Sequence, residues 1–273
     1  MELYRMIKKD AKRLLRSVWG RSLAAGLIVT ALALLITSAE SAFLFVFSDG
    51  DFLDPEALVL SATSTESLVI TVSAAVLTVL LVPQGLRGMK KLHLSFLDGE
   101  EKGLSPLFES FSPFWRFLDT SAFWCLLFAR TLLGFIVAMT PGTALLWFIG
   151  TYMPKTSRTL QLLEIGACLL SVLLILLCLT LWLIFCQRWF LAPYYFAEGN
   201  SAHRSFSLSV KATKGRRTAI FEFHLSFFGW AVLSVLILPL LWTVPYYETA
   251  SAVFARYLME RYERSLAPEQ PEE

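Results

Sequence analysis

Long apolar stretches separated by short clusters of charge are the feature that most constrains this chain. The first runs near residues 22–47, and others follow near 60–83, 120–150 and 160–187. A helix that rises about 1.5 Å per residue needs about 20 residues to cross a hydrocarbon core of about 30 Å. Apolar residues make up 56% of the sequence and charged residues only 17%, which does not suit a soluble domain. The sequence predicts an all-helical, polytopic transmembrane bundle.

The last apolar stretch decides how many spans we expect. About 44 residues separate Arg217 from Arg261, which is too many for one span and suits two spans joined by a tight turn. Pro239 lies at the midpoint and predicts a hairpin with spans near 218–238 and 240–260. We therefore expect about six spans in a single membrane domain covering residues 1–273, with a disordered acidic tail at 265–273. Five spans with an external or interfacial tail is the alternative.

Charge patterning predicts the orientation of the chain. Residues 1–20 form a basic amphipathic arm that suits an anionic membrane surface or, alternatively, a partner protein. The loop after the first span carries four acidic residues between 49 and 56 and neither lysine nor arginine. By the positive-inside rule the N-terminus is cytoplasmic and further basic amphipathic helices lie on that face. We expect anionic inner-leaflet lipids as partners, with a membrane protein as a further candidate; a net charge of +2 does not suit nucleic acid.

Ionisable side chains within the apolar stretches are candidates for an intramembrane polar site, because such groups are costly in lipid unless they are paired. Counting helical rise, Arg130 and Glu248 lie at similar depths, about 15 and 18 Å from the inner edge. Glu164 is the competing partner for Arg130. The interpretations are a site for a headgroup, an anion or a proton, and a purely structural ion pair. The candidate residues are Arg130, Glu164, His224, Tyr246, Tyr247 and Glu248.

Motifs of soluble catalysis are absent from the sequence. It contains no H-E-x-x-H, no phosphate-binding G-x-x-x-x-G-K-[ST] and no G-x-S-x-G, and its three histidines are far apart. The acidic run that begins at Asp49 lacks the spacing of a calcium-binding loop. We expect a protein that is not an enzyme and uses neither a cofactor nor a metal.

The C-terminal run carries a recognisable signature. It reads F-x-L-S-F-x-G-W at Phe223–Trp230, L-W-x-x-P-Y at Leu241–Tyr246 and A-x-F at Ala252–Phe254. This run resembles a family of uncharacterised bacterial integral-membrane proteins known as domain of unknown function 975. Weaker similarity covers Gly88 with Leu107–Phe108, and the stretch Ser205 to Arg217. The motif residues are Ser226, Gly229, Trp230, Trp242, Pro245 and Tyr246.

The resemblance implies the cytoplasmic membrane of a bacterium and no known activity. Three classes of function stay open. The first is a non-catalytic membrane component that interacts with lipid or protein. The second is a transporter of a small anion, a lipid headgroup or a proton-coupled solute. The third is a membrane module, since the family is distantly similar to the membrane domain of some glycerophosphodiester phosphodiesterases.

Overall fold

The computed structural model describes residues 2–47, 65–100, 103–152 and 158–266, and the acidic loop and most of the acidic tail lie outside these ranges. Within them the regular structure is helical and contains no strand, which confirms the all-helical part of the prediction. Short 3-10 turns connect some of the helices. The helices are α1 (Glu2–Phe47), α2 (Thr65–Leu97), α3 (Phe114–Tyr152), α4 (Arg158–Cys186), α5 (Ala192–Ala197), α6 (Ala202–Ala212), α7 (Arg217–Leu225), α8 (Phe228–Leu233) and α9 (Ile237–Leu266).

Among the described residues, four helical segments are long and apolar enough to cross a membrane. They are Leu3–Val46, Thr65–Leu97, Phe114–Tyr152 and Leu163–Ala197. These segments agree with the first four predicted spans, and the predicted count of six is not confirmed. The region predicted as a fifth span divides into α7 and α8, whose nine and six residues would each cover less than about 14 Å.

A helical hairpin does form at the C-terminus, as the sequence predicts, but its turn differs. The turn lies between the end of α8 at Leu233 and the start of α9 at Ile237, and Pro239 lies in the first turn of α9. Proline is tolerated there because the first N–H groups of a helix have no intrahelical acceptor. Trp230 on α8 packs edge-on against Tyr246 on α9, with ring centroids 6.3 Å apart.

Two helices continue past the boundaries that the sequence suggests. The basic arm and the first span are one helix, α1. The second predicted span ends at Pro83, whereas α2 continues through this proline to Leu97. A proline inside a helix costs about 3 kcal/mol. In α2 that cost is offset by burial, because most of the buried residues of this helix lie at Pro83 and beyond it.

The core of the protein lies at the end of the molecule where α1 begins, which we call the basal end. There α1 runs antiparallel to α2 and to α9: Ser22 meets His93, and Tyr4 packs against Phe254. Buried residues of α1, α5, α7 and α9 form one hydrophobic cluster. Beyond the basal end the apolar side chains of the long helices, such as Leu35 and Val69, are exposed and suit contact with lipid.

Candidate functional site

A buried ion pair joins α2 to α9 at the basal end. Lys90 Nζ lies 2.6 Å from Glu248 Oε2, and the two side chains are only 14% and 12% exposed. Lys90 also lies 5.3 Å from the centre of the Tyr194 ring on α5. Burial on its own would raise the pKa of Glu248, but the charge and the hydrogen bond of Lys90 lower it overall. Glu248 is therefore held as a carboxylate.

His93 extends this polar cluster one helical turn beyond Lys90. The imidazole is fully buried; Nδ1 lies 2.8 Å from the Met89 carbonyl, and Nε2 lies 2.9 Å from Ser22 Oγ. A carbonyl can only accept a hydrogen bond, so Nδ1 carries the proton and Nε2 accepts from the Ser22 hydroxyl. This arrangement satisfies both ring nitrogens of the neutral histidine.

His224 on α7 lies near the same cluster. Its Nδ1 is 3.0 Å from the hydroxyl of Tyr247, and burial, reinforced by the Lys90 charge, lowers the pKa of His224 from 6.5 to about 4. The unprotonated Nδ1 of a neutral imidazole accepts a hydrogen bond from the Tyr247 hydroxyl. A cavity of about 430 Å³ borders Lys90, His224, Tyr247 and Ser251. The predicted association of His224, Tyr247 and Glu248 is thus present around Lys90.

The pairing predicted for Arg130 is wrong. Arg130 stacks on the ring of Phe206, 4.1 Å from its centre, and Glu248 bonds to Lys90 instead. Glu164 lies in a shallow depression of α4 beside Ile165. It is 21 residues, or about 32 Å of helical rise, from Phe185, which lines the same groove as Arg130. With Tyr246, which lies on a further surface, the predicted site residues therefore separate into four places.

Tyr246 belongs to a different surface from its neighbour Tyr247. It lies in a groove of about 510 Å³ that is otherwise lined by cations of α1, here called the basic groove. Lys12 Nζ is 5.7 Å from the centre of the Tyr246 ring, and Lys8 Nζ is 4.5 Å from that of Phe227. Such cation–π contacts hold the lysine stems against α8 and α9. The cations of the groove are Arg5, Lys8, Lys9, Lys12, Arg13 and Arg16.

The signature residues gather where the C-terminal hairpin meets α1. Lys8 Nζ donates a 3.0 Å hydrogen bond to the Ser226 carbonyl, and Trp242 packs on Trp19 with centroids 6.2 Å apart. Pro245 is buried within α9, and its carbonyl accepts a 2.7 Å hydrogen bond from Thr249. Trp230 is 43% exposed, and a Cβ at Gly229 would meet open space. Several signature residues thus fix the hairpin that forms one wall of the basic groove.

The weaker linker similarity also has a structural basis. A Cβ at Gly88 would lie 2.4 Å from Cα of Leu107, so only glycine admits this close approach between α2 and the turn that follows it. Ser209 Oγ donates a 2.8 Å hydrogen bond to the Arg188 carbonyl and thereby ties α6 to the end of α4.

Two residues of the polar cluster, Lys90 and His93, are missing from the sequence-based candidates. The reason is the boundary at Pro83, which assigned both to a surface linker. Their spacing could have identified them, since residues three apart share one face of a helix that continues past Pro83.

Over the described part of the chain, no group of three His, Cys, Asp or Glu side chains could hold a metal.

The four long apolar helices indicate a membrane protein. The family model described as "Protein of unknown function (DUF975)" matches residues 1–262, and the chain belongs to this family. This match confirms the family resemblance that the C-terminal signature indicates. No curated protein and no solved structure matches the chain.

Proposed function

We propose that the protein is a non-catalytic component of the bacterial cytoplasmic membrane that binds anionic lipid with its basal end, which faces the cytoplasm. The observation that carries this proposal is the basic groove, where six cations of α1 lie together beside the C-terminal hairpin. Cations near a membrane surface attract anionic headgroups by about 1 kcal/mol each. With the N-terminus in the cytoplasm, these charges would lie next to the inner leaflet.

Exposed apolar side chains next to the basic groove support the same function. The hairpin exposes Phe228, Val232, Val235 and Leu236 at its tip, between 55% and 83% of each side chain. An apolar tip beside a basic surface is the pattern of interfacial membrane binding: the apolar side chains enter the acyl region while the cations meet headgroups. The hairpin would then lie in the inner leaflet.

Charge removal in the basic groove tests the proposal. The variant Lys9→Gln, Arg13→Gln, Arg16→Gln removes three cations of the groove and keeps Lys8, which bonds to Ser226. We expect the full-length protein to retain phosphatidylglycerol over phosphatidylcholine after extraction from a defined mixture, measured by native mass spectrometry. The variant should lose this preference by at least about tenfold, since three cations at up to about 1 kcal/mol each contribute up to about 3 kcal/mol.

The matched control removes the same charge elsewhere at the basal end. Arg204, Lys211 and Lys214 are exposed on and after α6, and their replacement by glutamine should leave the preference within about twofold. An equal loss in both variants would mean that net charge alone matters. An unchanged preference in the groove variant would refute the proposal.

A second candidate function is transport of a small anion, a lipid headgroup or a proton-coupled solute. The cavity beside Lys90, His224 and Tyr247 favours it, because a cation and two polar rings converge there. Uptake into proteoliposomes tests this function with labelled small anions, with and without a pH gradient. Transport by the wild type that Lys90→Gln abolishes would support the second function over the first.

A further inference from the structure

A second arginine-containing groove lies away from the basic groove, between α3 and α4. Its cavity measures about 620 Å³, a size typical of small-molecule sites. Arg130 on α3 and Arg188, just after α4, lie together at its basal end. Apolar side chains line the rest, among them Leu133, Val137 and Leu181.

The path of the groove follows from the contact between the two helices. A Cβ at Gly134 would lie 3.2 Å from Nε1 of Trp182, and the same indole nitrogen donates a 3.2 Å hydrogen bond to the Thr131 carbonyl. Trp182 thus turns the N–H edge of its ring toward α3 and forms one wall of the groove. From Arg130 to Pro141 the groove follows α3 for 11 residues, which is about 16 Å.

The two guanidinium groups are held by aromatic rings rather than by carboxylates. Arg188 lies 3.9 Å from the centre of the Phe185 ring and 4.1 Å from that of Trp189, and Arg130 lies 4.1 Å from that of Phe206. No described carboxylate forms an ion pair with either arginine. A ring stabilises an arginine by about 0.5–2 kcal/mol but leaves its charge uncompensated.

Further positive charge and unsatisfied donors lie at the same place. Arg217 on α7 lies within electrostatic range of Arg188, as does Arg130. The Nε atoms of Arg188 and Arg217 are both buried and have no hydrogen-bond partner among the described residues. Arg130 is exposed and Arg188 and Arg217 are partly buried, so an anion can reach all three arginines. The two buried Nε donors need an acceptor, and a phosphate oxygen would supply one.

The accessibility of the groove indicates where the anion comes from. Leu133 and Val137 are each 64% exposed and Leu181 is 57% exposed, so the groove is open on the lipid-facing side of α3 and α4. Arg130 lies 22 residues, or about 33 Å, before the end of α3 at Tyr152, which is close to one bilayer core. The arginines therefore reach the headgroup level of one leaflet and the apolar walls lie among its acyl chains.

We propose that this groove binds one phospholipid, whose phosphate is held by Arg130 and Arg188 and whose acyl chain lies along the apolar walls. Arginine matches phosphate oxygens with two parallel hydrogen bonds, which lysine cannot do. Ser209 and Thr213 both bond to the Arg188 carbonyl, at 2.8 and 3.3 Å, and so fix the arginine at the groove. This inference deepens the proposed function, but the site lies on other helices than the basic groove.

Native mass spectrometry of full-length protein tests the site. After exhaustive washing in detergent we expect the wild type to retain one phospholipid per chain. Arg130→Gln with Arg188→Gln should lower its occupancy at least tenfold. Arg204→Gln with Arg261→Gln removes the same charge from exposed positions and should leave it within twofold. Unchanged occupancy in the groove variant would overturn the proposal.

A second variant tests the acyl part of the site and separates it from a simple anion site. Ala138→Trp fills the groove and leaves its charge unchanged, and it should also lower occupancy at least tenfold. Release of the lipid by inorganic phosphate, or full retention in Ala138→Trp, would show that no acyl chain lies in the groove. If the double arginine variant does not fold, Arg130→Gln alone and Ala138→Trp decide the question.

The two lipid proposals can fail independently. The basic-groove variant Lys9→Gln, Arg13→Gln, Arg16→Gln should lose its preference for anionic lipid yet keep the tightly held phospholipid. The basic-groove variant could instead lose that phospholipid while the double variant Arg130→Gln, Arg188→Gln retains it. That result would assign tight binding to α1 and refute the site between α3 and α4.

Discussion

Lys90 Nζ and Glu248 Oε2 lie 2.6 Å apart although 158 residues separate them along the chain. The pair connects the extended end of α2 to the middle of α9, and both side chains are largely buried. Among the described residues, no other ion pair has both side chains less than 20% exposed. This contact holds the C-terminal hairpin to the membrane helices.

Removing one member of this pair should destabilise the fold. Glu248→Gln leaves Lys90 without a counterion, which costs about 3–5 kcal/mol for a buried pair. Thermal unfolding in detergent measures the effect.

Glu260→Gln is the control, because the 3.9 Å contact of Glu260 with Arg264 is exposed and should contribute less than about 1 kcal/mol. Equal effects of the two changes would contradict the prediction. Replacing both Lys90 and Glu248 with methionine should recover part of the loss.

Stability should fall as the pH is lowered from about 6.5 to about 4. The pKa of His224 is lowered from 6.5 to about 4, so over this range the unfolded chain binds a proton that the folded chain does not. The stabilisation is fully present above pH 6.5, and up to about 3 kcal/mol is lost by pH 4. Unfolding curves at several pH values measure the slope.

Variants separate His224 from the other groups that titrate in this range. His224→Gln keeps an acceptor for Tyr247 but does not titrate, and it should flatten the slope. His203 is exposed on α6, and His203→Gln should leave the slope unchanged. Identical slopes for wild type and His224→Gln would show that His224 does not cause the pH dependence.

Gly88→Ala should destabilise the protein by more than about 2 kcal/mol, because strained packing is costly. The new Cβ would lie 2.4 Å from Cα of Leu107 and 2.7 Å from the Pro106 carbonyl oxygen, and neither backbone atom can rotate away. Gly150→Ala is the control: this glycine lies inside α3 and a Cβ would meet nothing within 4 Å. Its unfolding temperature should stay the same or rise, since alanine favours helix. Comparable losses in both variants would exclude the steric explanation.

The C-terminal hairpin should remain in one leaflet, which gives four spans rather than six. Lys8 Nζ bonds to the Ser226 carbonyl and lies over the Phe227 ring, so the junction of α7 and α8 lies against the basic part of α1. Val235 is 83% exposed at the hairpin tip. In a cysteine-free background, Val235→Cys in intact cells should resist a membrane-impermeant maleimide, as should Ser265→Cys. Ser48→Cys, after the first span, should react. Labelling of Val235→Cys from outside would restore six spans.

The sequence predicts much of the fold but little of the arrangement at the site. Apolar length identifies four spans. The arm at 1–20 is helical and basic, as its pattern predicts. These features are local, because they depend on hydropathy and residue type over one or two turns.

The partner of Glu248 was decided only by the tertiary structure. Depth along an assumed span suggested Arg130, but pairing depends on which helices touch and how they are rotated, and α9 packs on α1 and α2. Because the segment beyond Pro83 is buried, α2 continues as a helix there, and Lys90 lies opposite Glu248. The apolar patterns therefore determined that the chain enters a membrane, whereas helix packing alone selected the ion pair and brought Arg130 and Arg188 to one groove.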